Sequence, residues 1–367
     1  MSVKNIILFF VVFAVLTAGG CSDSKIKVKV LVEPSLEFKG SYFANVDSFF
    51  SEGLAAARKD DKWGFIDKTG DIVIPLIYDD VGVFTEGLAV VKKDGKCGFI
   101  NKTGNIALPL NYDYVSDFSE GLAVVAKVNE KGDYKRGYIN KTGDIIIPLI
   151  YDYAFGFSEG LAVIGIRNLE TIKWDFIDKA GDVVLPFIYD MASSFKEGLA
   201  VVSKDDEYGY IDKTGEIVIP LNYGTAYSFS EGLAMVEKDS IYYGFIDKTG
   251  KIVVPHIYWY ADSFSEGLAN VGTTTIPIRK DNEFIWEYID RTGNTIIDCK
   301  DEYSWVYPFH DGLAAVKVWS VHGSKCGYIN KNGNIIVPLE YDEVYRFSEG
   351  LAIVEKDGLW GILEIVE

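Results

Sequence analysis

Apolar residues come in short runs that restart on a fixed beat, each run bounded by glycine, aspartate or lysine. Residues 87–92 set the type. Leu88 and Val90 share one side of an extended chain and Ala89 and Val91 the other, which predicts a strand buried on both faces. Asp94-Gly95 then reads as a hairpin dipeptide, because glycine accepts the positive φ of a tight primed turn. A second apolar strand follows at residues 97–101, or 63–67 one copy earlier, where Trp63 and Phe65 lie on one face and Gly64 and Ile66 on the other. A glycine inside a strand predicts close approach of a neighbouring backbone or ring. Asp67-Lys68-Thr69-Gly70 reads as a turn, and the β-branched residues 71–74 as a third strand closed by Pro75, which has no N–H for a ladder. The segment 78–84 carries the chain onward as a short fourth strand or one helical turn.

This unit of about 34 residues recurs along the chain. The glycine of Phe-Ser-Glu-Gly-Leu-Ala stands at Gly53, Gly87, Gly121, Gly160, Gly198, Gly232, Gly267, Gly312 and Gly350, with spacings of 34 to 45. One unit buries too little apolar area to offset its ordering entropy, so neighbours must supply the core. The expected fold is therefore all-β: eight to nine three- or four-stranded meanders in tandem over residues 42–367, stacked as an open, solenoid-like array. A closed propeller is the alternative, since the chain ends after two strands and residues 26–31 and 43–49 offer halves that would complete a blade.

The pattern resembles the WG-repeat family of bacterial proteins, named for the Trp-Gly pair found here at Trp63-Gly64 and Trp360-Gly361. The tryptophan slot is filled by Cys97, Arg136, Tyr208, Tyr243 and Cys326 elsewhere, while Trp174 and Trp286 precede Asp175 and Glu287 instead of glycine. The resemblance implies a repeat scaffold, often on envelope proteins, with no activity common to the family.

Residues 1–20 combine Lys4, an apolar run over 6–16 and the small residues Ala18-Gly19-Gly20, which predicts a secretory signal too short to span a bilayer. Cys21 directly after them resembles the acylated cysteine of bacterial lipoproteins, although Ala18 stands where that motif usually has leucine. The expectation is an envelope lipoprotein, outer-membrane in a cell with two membranes because Ser22 follows the cysteine, with residues 21–41 as a polar tether; simple secretion is the alternative. Cys97, Cys299 and Cys326 read as buried fillers and not as a disulfide framework. A net charge of −18 disfavours nucleic acid.

Residues that look chemical recur in too many copies to mark one site. Gly156-Phe157-Ser158-Glu159-Gly160 matches a nucleophile elbow, but no helix follows and the serine slot holds Thr85, Lys196 or His310 elsewhere. The five Lys-Thr-Gly triplets read as turns. Carboxylates such as Asp67, Asp71, Asp79 and Asp80 lack calcium-loop spacing, and the three histidines lack zinc spacing. Pairing Glu52, Glu86 or Glu120 with a turn aspartate would make a glycoside hydrolase only if one copy differed from the rest. No catalytic residue, metal or cofactor is expected.

The copies diverge most around the seventh unit, stretched to 45 residues between Gly267 and Gly312, with an insert at 273–280. Trp259, Trp305 and Trp319 fall there at phases the repeat does not require. Tryptophans on loops suit stacking on a sugar ring or anchoring a protein. The functional expectation is a non-catalytic binding scaffold for an envelope protein or peptide. A carbohydrate- or peptidoglycan-binding surface is the alternative, and hydrolysis of glycosides a minor one.

Overall fold

The computed structural model describes residues 26–36, 50–168, 171–185, 188–238, 241–274, 284–299, 302–320 and 323–366. Their strands form nine separate antiparallel sheets, eight of four strands and one of three. The third sheet shows the plan: Tyr114–Val115, Leu122–Val128, Tyr134–Asn140 and Ile145–Tyr151 pair in order, here named strands a to d. The connecting segment is thus a short fourth strand, and Phe-Ser-Glu-Gly-Leu-Ala is the a–b turn. Glu120 and Gly121, with φ of 54° and 85°, form its two-residue corner.

The sheets close into a ring, so the open array first expected gives way to its stated alternative, a closed propeller, here of nine blades. The ninth blade takes strands a to c from Glu343–Val344, Leu351–Lys356 and Leu359–Val366. Its outer strand comes from the other end of the chain. Lys27–Leu36 pairs with Leu359–Val366, with Lys27 opposite Val366 and Leu36 opposite Trp360. Residues 27–36 are therefore ring, not tether, and the boundary drawn at 41 moves back. Across the last seam, Phe50, Ala55 and Ile66 of blade 1 share a core with Ile353, Trp360 and Ile362 of blade 9. Periodicity in a sequence specifies neighbour contacts, and those are the same in an array and a ring; closure depends on two segments more than 300 residues apart.

Neighbouring a strands touch. Ser51, Ser119, Ser158, Ser230, Ser265 and Ser348 each donate to the carbonyl of the phenylalanine of the next blade, Phe84, Phe157, Phe195, Phe264, Phe309 and Phe50, at 2.6 to 2.9 Å. The a strands consequently form the inner wall of the ring and the d strands its outside. Alternation of direction puts the a–b and c–d turns on one face, the turn face, and the b–c hairpins and d–a connectors on the other, the connector face.

The turn face is a ring of repeated latches. The carboxylates of Glu52, Glu86, Glu120, Glu159, Glu197, Glu231, Glu266, Asp311 and Glu349 each accept the N–H of the turn glycine in the following blade, at 2.8 to 3.2 Å. Lys102, Lys141, Lys179, Lys213, Lys248 and Lys331 ion-pair with six of them at 2.9 to 3.1 Å. Burial alone would push Glu52, Glu86, Glu120 and Glu159 up, but the lysine and glycine N–H bonds outweigh it and hold all four below the usual glutamate value. A depressed carboxylate contributes stability that is present above its unfolded pKa and lost as pH falls through the folded one. Thermal melts from pH 7 to pH 3 should therefore show Tm falling below about pH 4.5, with Glu120→Gln flattening that fall; an equal fall in the variant would contradict the latch.

The Trp-Gly glycine has a direct cause. Between Trp63 opposite Tyr78 and Phe65 opposite Ile74, the outer strand carries two extra residues, and their bulge lies over Gly64. A Cβ on Gly64 would stand 2.4 Å from the Ile74 carbonyl oxygen and 2.5 Å from that of Pro75. The strand expected to stop at Pro75 runs on through Ile72–Tyr78. As the outermost strand it has no further neighbour needing the proline's missing N–H.

Where the glycine is lost the outer strand changes. In blade 4 Asp175 occupies the slot, and outside Thr171–Asp178 the described residues make only isolated bridges, Trp174 to Tyr189 and Ile177 to Val183. In blade 7 Glu287 occupies it, and the outer strand shortens to Thr295–Asp298 with Glu287 directly opposite Asp298. Asp175 is fully buried and one of its oxygens has no hydrogen-bond partner among the described residues. Burial pushes its carboxyl up to about 6.

Candidate functional site

Most residues singled out as chemical are consumed by the scaffold. The Asp67 carboxylate accepts from Thr69 N, Thr69 Oγ1 and Asp71 N at 2.6 to 3.1 Å, which builds the c–d turn. The Ser158 hydroxyl of the elbow-like motif donates to the Phe195 carbonyl at 2.7 Å. Asp79 takes Lys62 Nζ at 2.5 Å and Asp94 N at 2.7 Å, clasping a d–a connector to the next blade's b–c hairpin. Asp113, Asp152, Asp190 and Asp342 repeat that clasp. Cys97, Cys299 and Cys326 are free and buried.

The clasp lapses in one sector of the connector face. Gly224 and Trp259 replace the aspartate at the seams into blades 6 and 7, and Ser304 replaces it at the seam into blade 8, where its Oγ accepts from Trp319 N at 2.9 Å. All three off-pattern tryptophans lie in this sector but not at one point. Trp259 sits on the connector, edge-on to Tyr242 at 5.2 Å. Trp305 begins strand a of blade 8, Trp305–His310, against Trp286 at 4.7 Å and Tyr260 at 5.1 Å. Trp319, 60% exposed, stands on the b–c hairpin of the same blade. Trp286 is wholly buried and donates its Nε1–H to the Ser304 carbonyl.

Sequence reasoning missed the rest of the aromatic rim. Phe155, Tyr227 and Tyr307 hold one position of the inner strands, where other blades have Gly82, Ser116, Ser193, Asp262 or Tyr345. They are 49%, 40% and 39% exposed, beside a half-buried Tyr260 and an exposed Tyr114. Their signal was available: this phase varies freely while the flanking tyrosine and phenylalanine hardly change. A second missed residue is Asn270, fully buried at a phase that is apolar in every other copy, such as Val90, Val124 or Met235. Its Nδ2 donates to Asp262 at 2.8 Å and to the Val306 carbonyl at 3.2 Å, and Tyr260 donates to the same carboxylate at 3.1 Å. Burial first, then the Asp262 charge, pushes the Tyr260 hydroxyl well up, so it stays a neutral donor. This polar set braces the inner strands of blades 7 and 8 behind the aromatic surface.

A family model described as "WG containing repeat" matches nine consecutive stretches, 43–63, 63–97, 98–131, 137–169, 176–208, 208–240, 243–272, 288–318 and 327–360. The chain belongs to the WG-repeat family. From the second onward its matched segments begin in the c strand of one blade and end in the b strand, the b–c hairpin or the c strand of the next, so the family's unit is offset from the structural blade. No curated protein matches this WG-repeat chain. Among solved structures, one described as the eukaryotic initiation factor aligns at TM-score 0.59 and 10% identity, over 86% of this chain and 94% of that one, which concerns the fold alone. The β-propeller domain of the Trilobed protease from Pyrococcus furiosus aligns at TM-score 0.37 and 11% identity, over 68% and 93% of the two chains.

Proposed function

We propose that this WG-repeat propeller is a non-catalytic, envelope-anchored binding protein that takes a protein or peptide partner on its connector face, centred on blades 6 to 8. One observation carries the reading: off-pattern aromatic side chains gather in the sector where the aspartate clasp lapses, Trp259 and Trp319 at the connector face, Tyr227 and Tyr307 on the adjoining inner wall, and Trp305 packed behind them against Trp286. Aromatic anchors on a rigid frame give large contact area at low entropy cost. The opposite face is occupied by latches that repeat around the whole ring. Support for a non-catalytic role is that the recurring carboxylates Glu52, Glu86 and Glu120 each hold the next blade's backbone. The exposed ring of Trp319 favours a glycan as the second reading, because an open indole face stacks on a sugar. Acylation at Cys21 and the outer-membrane address belong to the same proposal; Cys21 lies outside the described residues.

Residues 25–367 used as bait against the producer's envelope test this reading, beside polysaccharide and peptidoglycan panels. Triple Trp259/Trp305/Trp319→Ala should reduce capture at least about tenfold, the loss expected on removing one or more anchors worth over 1.4 kcal/mol. Because Trp305 also packs on Trp286, a second variant, Tyr227→Ala with Tyr307→Ala, removes exposed rings only. Undiminished capture by both folded variants would contradict the assigned sector.

A further inference from the structure

We infer that the lipid anchor hangs the ring with its turn face toward the membrane and its connector face away from it. The inference rests on acylation of Cys21 and adds an orientation that follows from strand direction.

Strand c of blade 9 leaves the Asp357-Gly358 hairpin on the connector face and ends at Val366 on the turn face. The closing strand pairs with it antiparallel, so its first residue, Lys27, opposite Val366, enters at the turn face and Leu36, opposite Trp360, leaves at the connector face. Ile26 confirms the entry side. Its Cδ1 lies 2.8 Å from where a Cβ on Gly312 would stand, and Gly312 belongs to the a–b turn of blade 8. Ile26 and Val28 also pack on the core shared by blades 8 and 9, which fixes the entry point to the rigid ring. Between Cys21 and Ile26 there are only the four residues Ser22-Asp23-Ser24-Lys25. Five Cα steps reach at most about 17 Å. The acyl chains must sit in the bilayer, so Ile26, at the turn-face rim of blade 9, stays within that reach of it. Turning the ring over would require the tether to pass around the full height of blade 9, a strand of eight residues or about 26 Å. The aromatic sector of blades 6 to 8 is thereby presented to partners beyond the anchoring membrane.

Two single cysteines on blade 1, next to the anchored blade, test the orientation in the full protein. Lys68→Cys lies in the c–d turn on the turn face and Lys59→Cys at the b–c hairpin on the connector face, both exposed and separated by strand Lys62–Asp67, about 20 Å long. The native Cys97, Cys299 and Cys326 are buried, so a maleimide donor dye labels the new thiol. Protein purified from its membrane is first weighed to establish a diacylglyceryl group on Cys21, then placed in phosphatidylethanolamine and phosphatidylglycerol vesicles carrying an acceptor lipid. Energy transfer from Lys68→Cys should exceed that from Lys59→Cys at least twofold. Equal or reversed transfer in acylated protein overturns the orientation and leaves the anchor standing. An unmodified Cys21 overturns the anchor, and the orientation with it.

Discussion

Removing residues 26–36 should lower the stability of the ring by about 8 kcal/mol, the largest effect expected from any local change. The strand pairs along Leu359–Val366 at six positions. Ladder hydrogen bonds contribute about 1 kcal/mol each, and the half-buried Ile26 and Val28 about 1 kcal/mol each on the core between blades 8 and 9. The deletion also leaves Leu359–Val366 as a bare edge, a template for pairing with a second molecule. Urea unfolding of the mature and truncated proteins should show a lower midpoint for the latter, with association visible by light scattering. An unchanged midpoint would mean that the ends do not close the ring.

The second large effect lies at the glycine slot, where opposite substitutions should act with opposite signs. Gly98→Ala places a Cβ 2.7 Å from the carbonyl oxygens of Leu108 and Pro109. Those are backbone atoms of a paired strand and cannot rotate away, so the outer strand must detach, at about 3 kcal/mol or more. Blade 4 points the same way, since with Asp175 in that slot the described residues of the outer segment make only isolated bridges. Asp175→Asn should stabilise the protein at neutral pH. The buried carboxyl, at about 6 against an ordinary 3.8, costs about 3 kcal/mol once ionised. The sign follows from linkage: the folded state binds the extra proton between about pH 4 and 6, so stability falls as pH rises through that window. The advantage of Asp175→Asn should thus be absent at pH 4 and full above pH 6.5, read from urea midpoints at both. A gain independent of pH would refute the carboxyl as its source.

Much of this was legible in the chain. Gly64 in an apolar strand announced a close backbone approach, and the outer-strand carbonyls are that backbone. Asp175 and Glu287, the departures from the Trp-Gly pair, marked the two blades whose outer strands are altered. Pro75 misled because its missing N–H matters only where a neighbour needs it, and the outermost strand has none. Ring closure was half legible: residues 26–31 offered the missing half of a last blade, the propeller alternative that Lys27 opposite Val366 bears out, while the open array was preferred because curvature accumulated over nine blades is written in no local pattern. The candidate site was half legible. Trp259, Trp305 and Trp319 stood out as surplus to the repeat, whereas Phe155, Tyr227 and Tyr307 looked like ordinary members of an aromatic-rich chain until their strands became the inner wall.

Site-specific photo-crosslinking in the living producer tests the functional claim most directly. A benzoylphenylalanine placed in the proposed sector, at Trp259 or Trp319 on the connector face, and at Thr103 or Thr142 on the turn face, reports contact without knowledge of the partner. The account predicts covalent adducts of defined mass from the connector-face positions and none from the two threonines. Adducts confined to Thr103 and Thr142 would place the binding surface on the latches and contradict it.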